Sequence, residues 1–461
     1  MLPFLVLIET AALFGAIYGG LLPRSGTPQQ ALILTLCYVT AFYYNDLYDF
    51  GIVRSFSDFL SRLPRAIAWS LILLAVSWGL FPDARIPAES LGLAGMVMVA
   101  ALLSSRAAGY AVLRCRPFRE RVLILGTGPL ARLISNEIES RPHLRLEVIG
   151  FIGECMCKTS KPGGLPWLGE ASEIERIILE CAPHRIIVAL TERRGEVPVR
   201  QLLEMRLNGI AVEDGEEFYE RVTGKILLES LSPSSFVFGT RSRKTRIHLA
   251  IGRATSLAVS ASGLALTAPL FSLIALAIRL DSPGPIFYVQ DRVGRRGRRY
   301  RMLKFRTMRS VEQEASAWAG DNGHRITRVG AWLRKFRLDE LPQFVNILLG
   351  DMNLVGPRPH PASNFHLFAA NIPQYELRLA VRPGVTGWAQ THYLYANNLE
   401  QETEKFRYDL YYVKHMSSWL DLRILFDTIK VVLLGHRSDP TPPLSNPARE
   451  AQSSRVHDTA A

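Results

Sequence analysis

The sequence predicts a multi-domain α/β membrane protein. It has an N-terminal four-helix transmembrane bundle, a Rossmann-like α/β middle domain and a C-terminal, mostly α domain entered by a re-entrant membrane helix hairpin. Three observations carry that expectation. Four apolar segments, roughly 3–23, 31–50, 65–82 and 90–113, each approach the ~20 residues that cross a bilayer. "RVLILGTGPLA" (121–131) couples a β-branched and leucine run to a glycine turn and a helical pattern. Residues 254–278 run without a charge between two arginine-rich flanks.

Residues 1–115 form the bundle. Its first segment lacks a basic leader and an A-x-A site, so it reads as an anchor and not a removable signal. Glu9 within it calls for a partner inside the bundle. The loop after segment two carries Arg54, Arg62 and Arg65, and the exit of segment four carries Arg106, Arg114, Arg116, Arg119 and Arg121. The other loops carry only Arg24 and Arg85, which places both ends of the bundle on the cytoplasmic side.

Residues 116–225 alternate strand and helix patterns. Gly126, Gly128 and Ala131 match G-x-G-x-x-A, the turn that brings a helix N-terminus to a pyrophosphate. NAD or another dinucleotide fits that turn. However, the carboxylate wanted about 20 residues on is poorly supplied by Glu147 and Glu154. A domain used for packing or regulation stands beside the dinucleotide reading. A linker follows over 226–245.

The remainder, 246–436, opens with a hairpin over 250–279. Arg241, Arg243, Lys244, Arg246 and Arg253 precede the uncharged stretch, and Arg279, Arg292, Arg295, Arg296, Arg298, Arg299 and Arg301 follow it. Both flanks favour the cytoplasmic face, so the stretch should enter and return. Pro269 supplies the break, with Ser262 and Thr267 hydroxyls available to the freed backbone. A kinked, fully crossing helix is the alternative.

The whole chain has 461 residues, 48% of them hydrophobic, and a net charge of +12. Such a balance suits anionic lipid headgroups or a polyphosphate rather than nucleic acid. Five cysteines without framework spacing, including the lone Cys155/Cys157 pair, fit a reducing compartment and give no zinc signature. Lys304 and Arg306 alternate with Leu303 and Phe305 and so share one strand face. In "LRKFRLDELPQFVNILLGDMNLVGPRPHP" (333–361), Asp339 and Glu340 stand among Arg334, Lys335, Arg337 and Arg358. Asp339 reads locally as a helix N-cap, Pro342 as first-turn and Gly350 as the C-terminal stop. Residues 411–435 place Trp419, Leu422, Ile424, Leu425, Ile429 and Val432 at helical spacing, as an interfacial helix or one packed on the core. Residues 437–461 read as a disordered tail.

"SPGPIFYVQDRVG", "KFRTM", "LDELPQFVNILLGDMNLVGPRP", "VRPGVTGWAQ" and "YDLYYVKHMSSWLDLRIL" occur in this order. Together they resemble the bacterial sugar transferase family, the monotopic-type polyprenyl-phosphate phosphoglycosyltransferases, in its long exopolysaccharide form. "YERVTGKILLESLSPSSFVF" is similar to the exosortase-associated (PEP-CTERM) subgroup. The resemblance implies transfer of a phosphosugar from a UDP-sugar to undecaprenyl (polyprenyl) phosphate, releasing UMP, at the cytoplasmic face of the bacterial inner membrane. It implies Asp339 as nucleophile, Glu340 as the Mg²⁺ ligand, and Lys304, Arg334, Arg358 and Arg382 as phosphate or nucleotide ligands. The product would pass to downstream glycosyltransferases of polysaccharide assembly, and a homodimer suits so small a bundle. His360 departs from the acidic residue frequent after P-R-P in the family, which bears on donor specificity. Two rivals remain: a membrane-anchored nucleotide-sugar epimerase or dehydratase, whose Tyr-x-x-x-Lys spacing Tyr300 and Lys304 meet far from Gly126, and a non-catalytic lipid-binding scaffold. The sugar is not named by the sequence.

Overall fold

The computed structural model describes residues 2–21, 27–48, 56–114, 119–154, 166–190, 198–229, 246–309, 325–393 and 396–434. The Cys155/Cys157 pair, most of the 226–245 linker and the 437–461 tail lie outside the described residues. The chain divides into two units, Met1–Gly215 and Glu216–Ala461.

The first unit opens with four helices: α1 (Leu2–Leu21), α2 (Pro28–Tyr44), α3 (Phe56–Leu80) and α4 (Ala88–Arg114). They share a core that includes Ile17, Leu34, Phe42, Phe59, Leu74 and Met98. The partner for Glu9 is Arg106, 2.7 Å away. That guanidinium also lies over the Tyr48 and Phe59 rings, so each charge is compensated inside the bundle. α3 begins nine residues before the apolar run expected from 65. Arg62 reaches Asp46 (3.7 Å) and Arg65 donates to Asn45 Oδ1 (2.9 Å), which anchors this polar first stretch to the end of α2. Phe56–Leu80 and Leu249–Asp281 are long and apolar enough to cross a membrane.

The α/β part of this unit has strands β1 (Glu120–Leu125), β2 (Leu146–Ile152), β3 (Trp167–Gly169), β4 (Arg185–Val188) and β5 (Ala211–Asp214). All pair in parallel, in the order β3-β2-β1-β4-β5. Helices α5 (Pro129–Ser140), α6 (Ile174–Cys181) and α7 (Val199–Leu207) supply the crossovers. This is the doubly wound order, and its switch point lies between β1 and β4, where the glycine turn sits. Gly126 has φ +127°, and a Cβ there would lie 2.3 Å from the Ala189 carbonyl oxygen. Its missing side chain is thus spent on the end of β4.

The second unit begins with α8 (Gly215–Thr223). Residues 216–226 carry groups bonded within this unit. Lys414 donates to Glu220 (2.7 Å), Trp388 Nε1 to the Gly224 carbonyl (2.9 Å) and the Ile226 amide to the Arg407 carbonyl (3.2 Å). Next come α9 (Arg246–Asp281), the antiparallel hairpin β6 (Phe287–Val293) and β7 (Arg299–Phe305), α10 (Arg328–Lys335) and α11 (Gln343–Leu349). β8 (Asn353–Val355) pairs in parallel with β9 (Gly384–Thr386). α12 (Ala362–Asn371), α13 (Trp388–His392), α14 (Leu399–His415) and α15 (Ser418–Leu434) complete the unit.

Helix α9 differs from the helix–break–helix expected at Pro269. Helical structure continues through the proline from Arg246 to Asp281. A proline inside a helix removes its own donor and crowds the carbonyl four residues back, here that of Ala265. Thr267 bonds a different carbonyl, that of Gly263 (2.6 Å), one turn upstream of itself. The helix touches its own unit along most of its length. Arg253 donates to the Ile347 (2.7 Å) and Met352 (3.0 Å) carbonyls. Gly263 faces Phe344, Ile274 and Ile278 pack with Phe305 and Leu333, and Asp281 accepts from the Val329 amide (3.1 Å). Leu266 and Leu280 on the other side are 84% and 79% exposed. α15 divides likewise: Leu420 and Ile424 are buried with Trp388 and Tyr412, while Trp419, Leu422, Phe426 and Ile429 are exposed.

Candidate active site

Asp339 and Glu340 lie in a short 3-10 turn, Leu338–Glu340, entered through Arg337 in the left-handed region (φ 58°). Asp339 is therefore not the N-cap expected of it. The helix that follows, α11, has Pro342 at its N-cap position, one residue before the first turn expected for it, and ends at Gly350 (φ 96°), as the sequence indicates. Both carboxylates are buried.

Three cations converge on one oxygen. Glu340 Oε1 lies 2.8 Å from Arg358, 3.4 Å from Lys304 and 3.7 Å from Arg337. Each comes from a different local structure. β7 carries Lys304 and is tied to α11 by Asn346, which accepts from the Leu303 amide (3.0 Å) and donates to the Arg301 carbonyl (2.8 Å). Arg358 also donates to Gln390 Oε1 (2.7 Å), and Gln390 is itself held by the Val385 carbonyl (3.0 Å).

The backbone behind Arg358 is fixed at three successive carbonyls. Arg378 donates to that of Arg358 (2.8 Å), Arg292 to that of Pro359 (2.7 Å) and the Val293 amide to that of His360 (3.2 Å). Arg378 is in turn held by Asp409 at 2.6 Å, deep in the unit. None of Gln390, Arg378, Asp409 or Arg292 stands out as a site residue from sequence. The signal was an uncompensated polar residue in an otherwise apolar helical or turn segment, such as the aspartate of "YDLYYV".

The two carboxylates are driven apart electrostatically. Burial raises the Glu340 carboxyl, but Arg358, Lys304 and Arg337 outweigh it and hold it far below the usual range. Burial also raises Asp339, and the Glu340 charge adds to it against Lys304, Arg358 and Arg334, leaving it above the usual range. Glu340 is thus a fixed anion and Asp339 the more basic neighbour. Asp339 Oδ1 is buried and accepts no hydrogen bond among the described residues. Burial brings Lys304 down to about 8 against the pull of Glu340.

The other expected residues separate into two groups. Arg334 donates to Thr307 Oγ1 (3.1 Å) and acts electrostatically on Asp339. Among the described residues no contact brings Arg382 to the pair: it donates to the Gly350 carbonyl (3.1 Å), near Arg253 and Arg295. Arg306 is structural, donating to the Ser282 (2.7 Å) and Pro283 (2.8 Å) carbonyls that close the turn after α9. His360 points inward, edge-on to Phe368 and 3.1 Å from Glu402. Its ring packs toward the core, and the residue also lines a small cavity together with Arg358.

Among the described residues no three histidine, cysteine or carboxylate side chains converge as a metal cage. The pair nevertheless fits a cation of the Mg²⁺ type, which takes one or two carboxylates and completes its shell with water and phosphate. All three ion pairs of Glu340 fall on Oε1 and leave Oε2 aside, and Asp339 Oδ1 is unpartnered.

A buried carboxylate pair of divided basicity, framed by cations and carried beside a long apolar helix, is an arrangement suited to chemistry on phosphate groups. Residues 247–435 match the bacterial sugar transferase family. The chain is 30% identical over 322 residues to the UDP-glucose:undecaprenyl-phosphate glucose-1-phosphate transferase of Escherichia coli (strain K12), covering 68% of this chain and 67% of that protein. It is 38% identical over 237 residues to the UDP-N-acetylgalactosamine-undecaprenyl-phosphate N-acetylgalactosaminephosphotransferase of Aeromonas hydrophila, over 51% of this chain and 55% of that one. The undecaprenyl-phosphate glucose phosphotransferase of Komagataeibacter xylinus is 28% identical over 386 residues, 79% of this chain and 68% of that protein. The chain belongs to the bacterial sugar transferase family.

Proposed function

We propose that this protein transfers a sugar 1-phosphate from a UDP-sugar to undecaprenyl phosphate, releasing UMP, as the first membrane step of a polysaccharide repeat unit. The observation that carries the reading is the unpartnered Asp339 Oδ1 beside a Glu340 held anionic by Arg358 and Lys304. The names of the relatives supply the substrate classes.

In the first step Asp339 Oδ1 attacks the β-phosphorus of the donor, the bond to the bridging oxygen breaks, and UMP leaves. An aspartyl–phosphosugar remains. In the second step an oxygen of the acceptor phosphate attacks the same phosphorus and frees the aspartate, leaving a sugar–diphospho–lipid. A carboxylate approaching a diphosphate is repelled, and unit charges 4 Å apart interact by about 4 kcal/mol at an effective dielectric of 20. Lys304, Arg358 and Arg334 offset that repulsion. Glu340 keeps Lys304 and Arg358 in place, and its second oxygen would hold a Mg²⁺ ion, which would supply charge neutralisation to the phosphates.

Helix α9 supports a non-crossing placement. At 1.5 Å per residue, 36 residues extend about 54 Å. Yet Arg253 near one end and Asp281 at the other bond the same unit, so both ends belong on one side, with Leu266 and Leu280 toward lipid. The active site then faces the cytoplasm, with α1–α4 as the multi-pass anchor. UMP release from a panel of UDP-sugars with undecaprenyl phosphate and Mg²⁺ tests the reading and identifies the sugar. Absence of acceptor-dependent UMP release with every donor would sink it.

A further inference from the structure

Helix α10 and the residues after it border an apolar groove of about 230 Å³, lined by Arg328, Val329, Trp332, Leu333, Phe336 and Leu338. Trp332 and Phe336, one helical turn apart, are 66% and 40% exposed and stack with centroids 5.4 Å apart. The Lys335 ammonium lies within 5.7 Å of both rings. Two large rings held against each other at the surface form a preset apolar wall rather than scattered exposure.

The position of the groove says what fills it. One wall is continuous with α9, since Val329, Leu333 and Leu338 pack in the same cluster as Ile274 and Ile278. Leu273, Leu276 and Leu280 of that helix are exposed apolar residues suited to lipid. The last lining residue, Leu338, immediately precedes Asp339 in the chain. Arg334 and Arg337 flank that end, one acting on Asp339 and the other 3.7 Å from Glu340. The trough therefore leads from a lipid-facing helix to the attacking carboxylate and ends among cations.

We propose that this groove is the subsite for the isoprenoid chain of the acceptor: the phosphate-proximal isoprene units lie against Trp332 and Phe336, and the phosphate reaches Arg334 and Arg337. The inference rests on the transferase reading above and adds the acceptor's place in it. The occupant follows from position: the isoprenoid is the apolar chain that the acceptor phosphate itself carries to Asp339, and the groove's last lining residue, Leu338, adjoins that carboxylate.

The experiment measures the full-length enzyme in detergent micelles, where bilayer docking plays no part. Undecaprenyl phosphate and a straight-chain alkyl phosphate serve as acceptors, with the acceptor-independent UMP burst followed in parallel. Trp332→Ala and Phe336→Ala should each raise KM for undecaprenyl phosphate about tenfold, as loss of one buried ring contact implies. KM for the straight-chain acceptor should change little, and the burst should persist. Trp332→Phe should restore most of the affinity. An unchanged KM for undecaprenyl phosphate in either alanine variant would overturn the assignment, as would an equal rise for both acceptors. Loss of the burst together with KM would assign the rings to the donor half-reaction and overturn it too. A wild-type enzyme that releases no UMP at all would instead remove the transferase reading on which the groove depends.

Discussion

The glycine turn of the α/β part and the carboxylate pair of the C-terminal unit invite opposite mistakes. Gly126, Gly128 and Ala131 have the spacing of a dinucleotide loop, yet the freedom of Gly126 is consumed by the Ala189 carbonyl oxygen, 2.3 Å from where a Cβ would stand. Asp339 and Glu340 have the look of a helix start, yet they cap nothing. They sit in a 3-10 turn with three cations gathered on Glu340. A spacing motif reports backbone geometry, which packing alone can require. Buried charge that needs partners from several distant segments is harder to explain without chemistry.

The contrast breaks first at Glu340. Glu340→Gln should lower acceptor-dependent UMP release by roughly 100-fold or more, because Lys304 and Arg358 lose the charge that orders them. Measured on folded enzyme, a loss under threefold would reduce the pair to an ordinary ion-pair hub. A smaller effect belongs to Arg378, which touches no reacting atom in this account and is a positioning residue. Arg378→Lys keeps the charge but loses the Nη2 group that donates both to the Arg358 carbonyl and to Asp409. A fall in kcat of about tenfold is expected, on the scale of a misplaced clamp. The discriminating readout is whether kcat falls while KM for the donor stays within about twofold, since a merely structural role would lower only the amount of folded enzyme.

Gly126→Ala should act the other way. A side chain at φ +127° against a carbonyl should cost on the order of 2 kcal/mol or more in the α/β part. Thermal unfolding would report it, and turnover per folded molecule should be unchanged. Reduced turnover without lost stability would restore a ligand role to the turn. The smallest effect concerns pH. Burial holds the His360 ring down at about 3 against an ordinary value of 6.5. The unfolded chain therefore binds a proton that the folded one refuses. The contribution is fully present above pH 6.5 and declines as pH falls toward 3, at a slope on the order of 1 kcal/mol per pH unit. Asp409, raised by burial to about 6, works in the opposite direction over the same range. The readout in denaturant unfolding is therefore a difference: between pH 7 and pH 5 the wild type should lose more stability than His360→Gln, by about 1 kcal/mol per pH unit.

Elements with a strong local signal were legible in the sequence. The four N-terminal helices, the glycine turn after β1 and the stop at Gly350 follow from apolar runs and backbone preference. The family resemblance pointed to the pair with Lys304 and Arg358, which lie against Glu340, and to Arg334, which acts on Asp339 only electrostatically; Arg337, the third cation on Glu340, was not among the residues it implied. What could not be read was who holds whom across the fold. Arg306, which shares a strand face with Lys304 in sequence, turns to the carbonyls of Ser282 and Pro283. Arg382 goes to Gly350, whereas Arg378 carries the backbone behind Arg358. The placement of α8 depends in the same way on Glu220 meeting Lys414, 194 positions along the chain. Such choices are made by tertiary contacts that leave no local periodicity.

The central claim is a covalent bond to Asp339. Enzyme mixed with a UDP-sugar and Mg²⁺, without acceptor, and quenched in acid should release up to one equivalent of UMP. Intact-mass and peptide analysis should then find one hexose phosphate on the peptide containing Asp339, discharged by undecaprenyl phosphate. Asp339→Asn should show neither burst nor adduct. Acceptor-dependent turnover with no adduct in the wild type, or wild-type-like turnover by Asp339→Asn, would contradict the account.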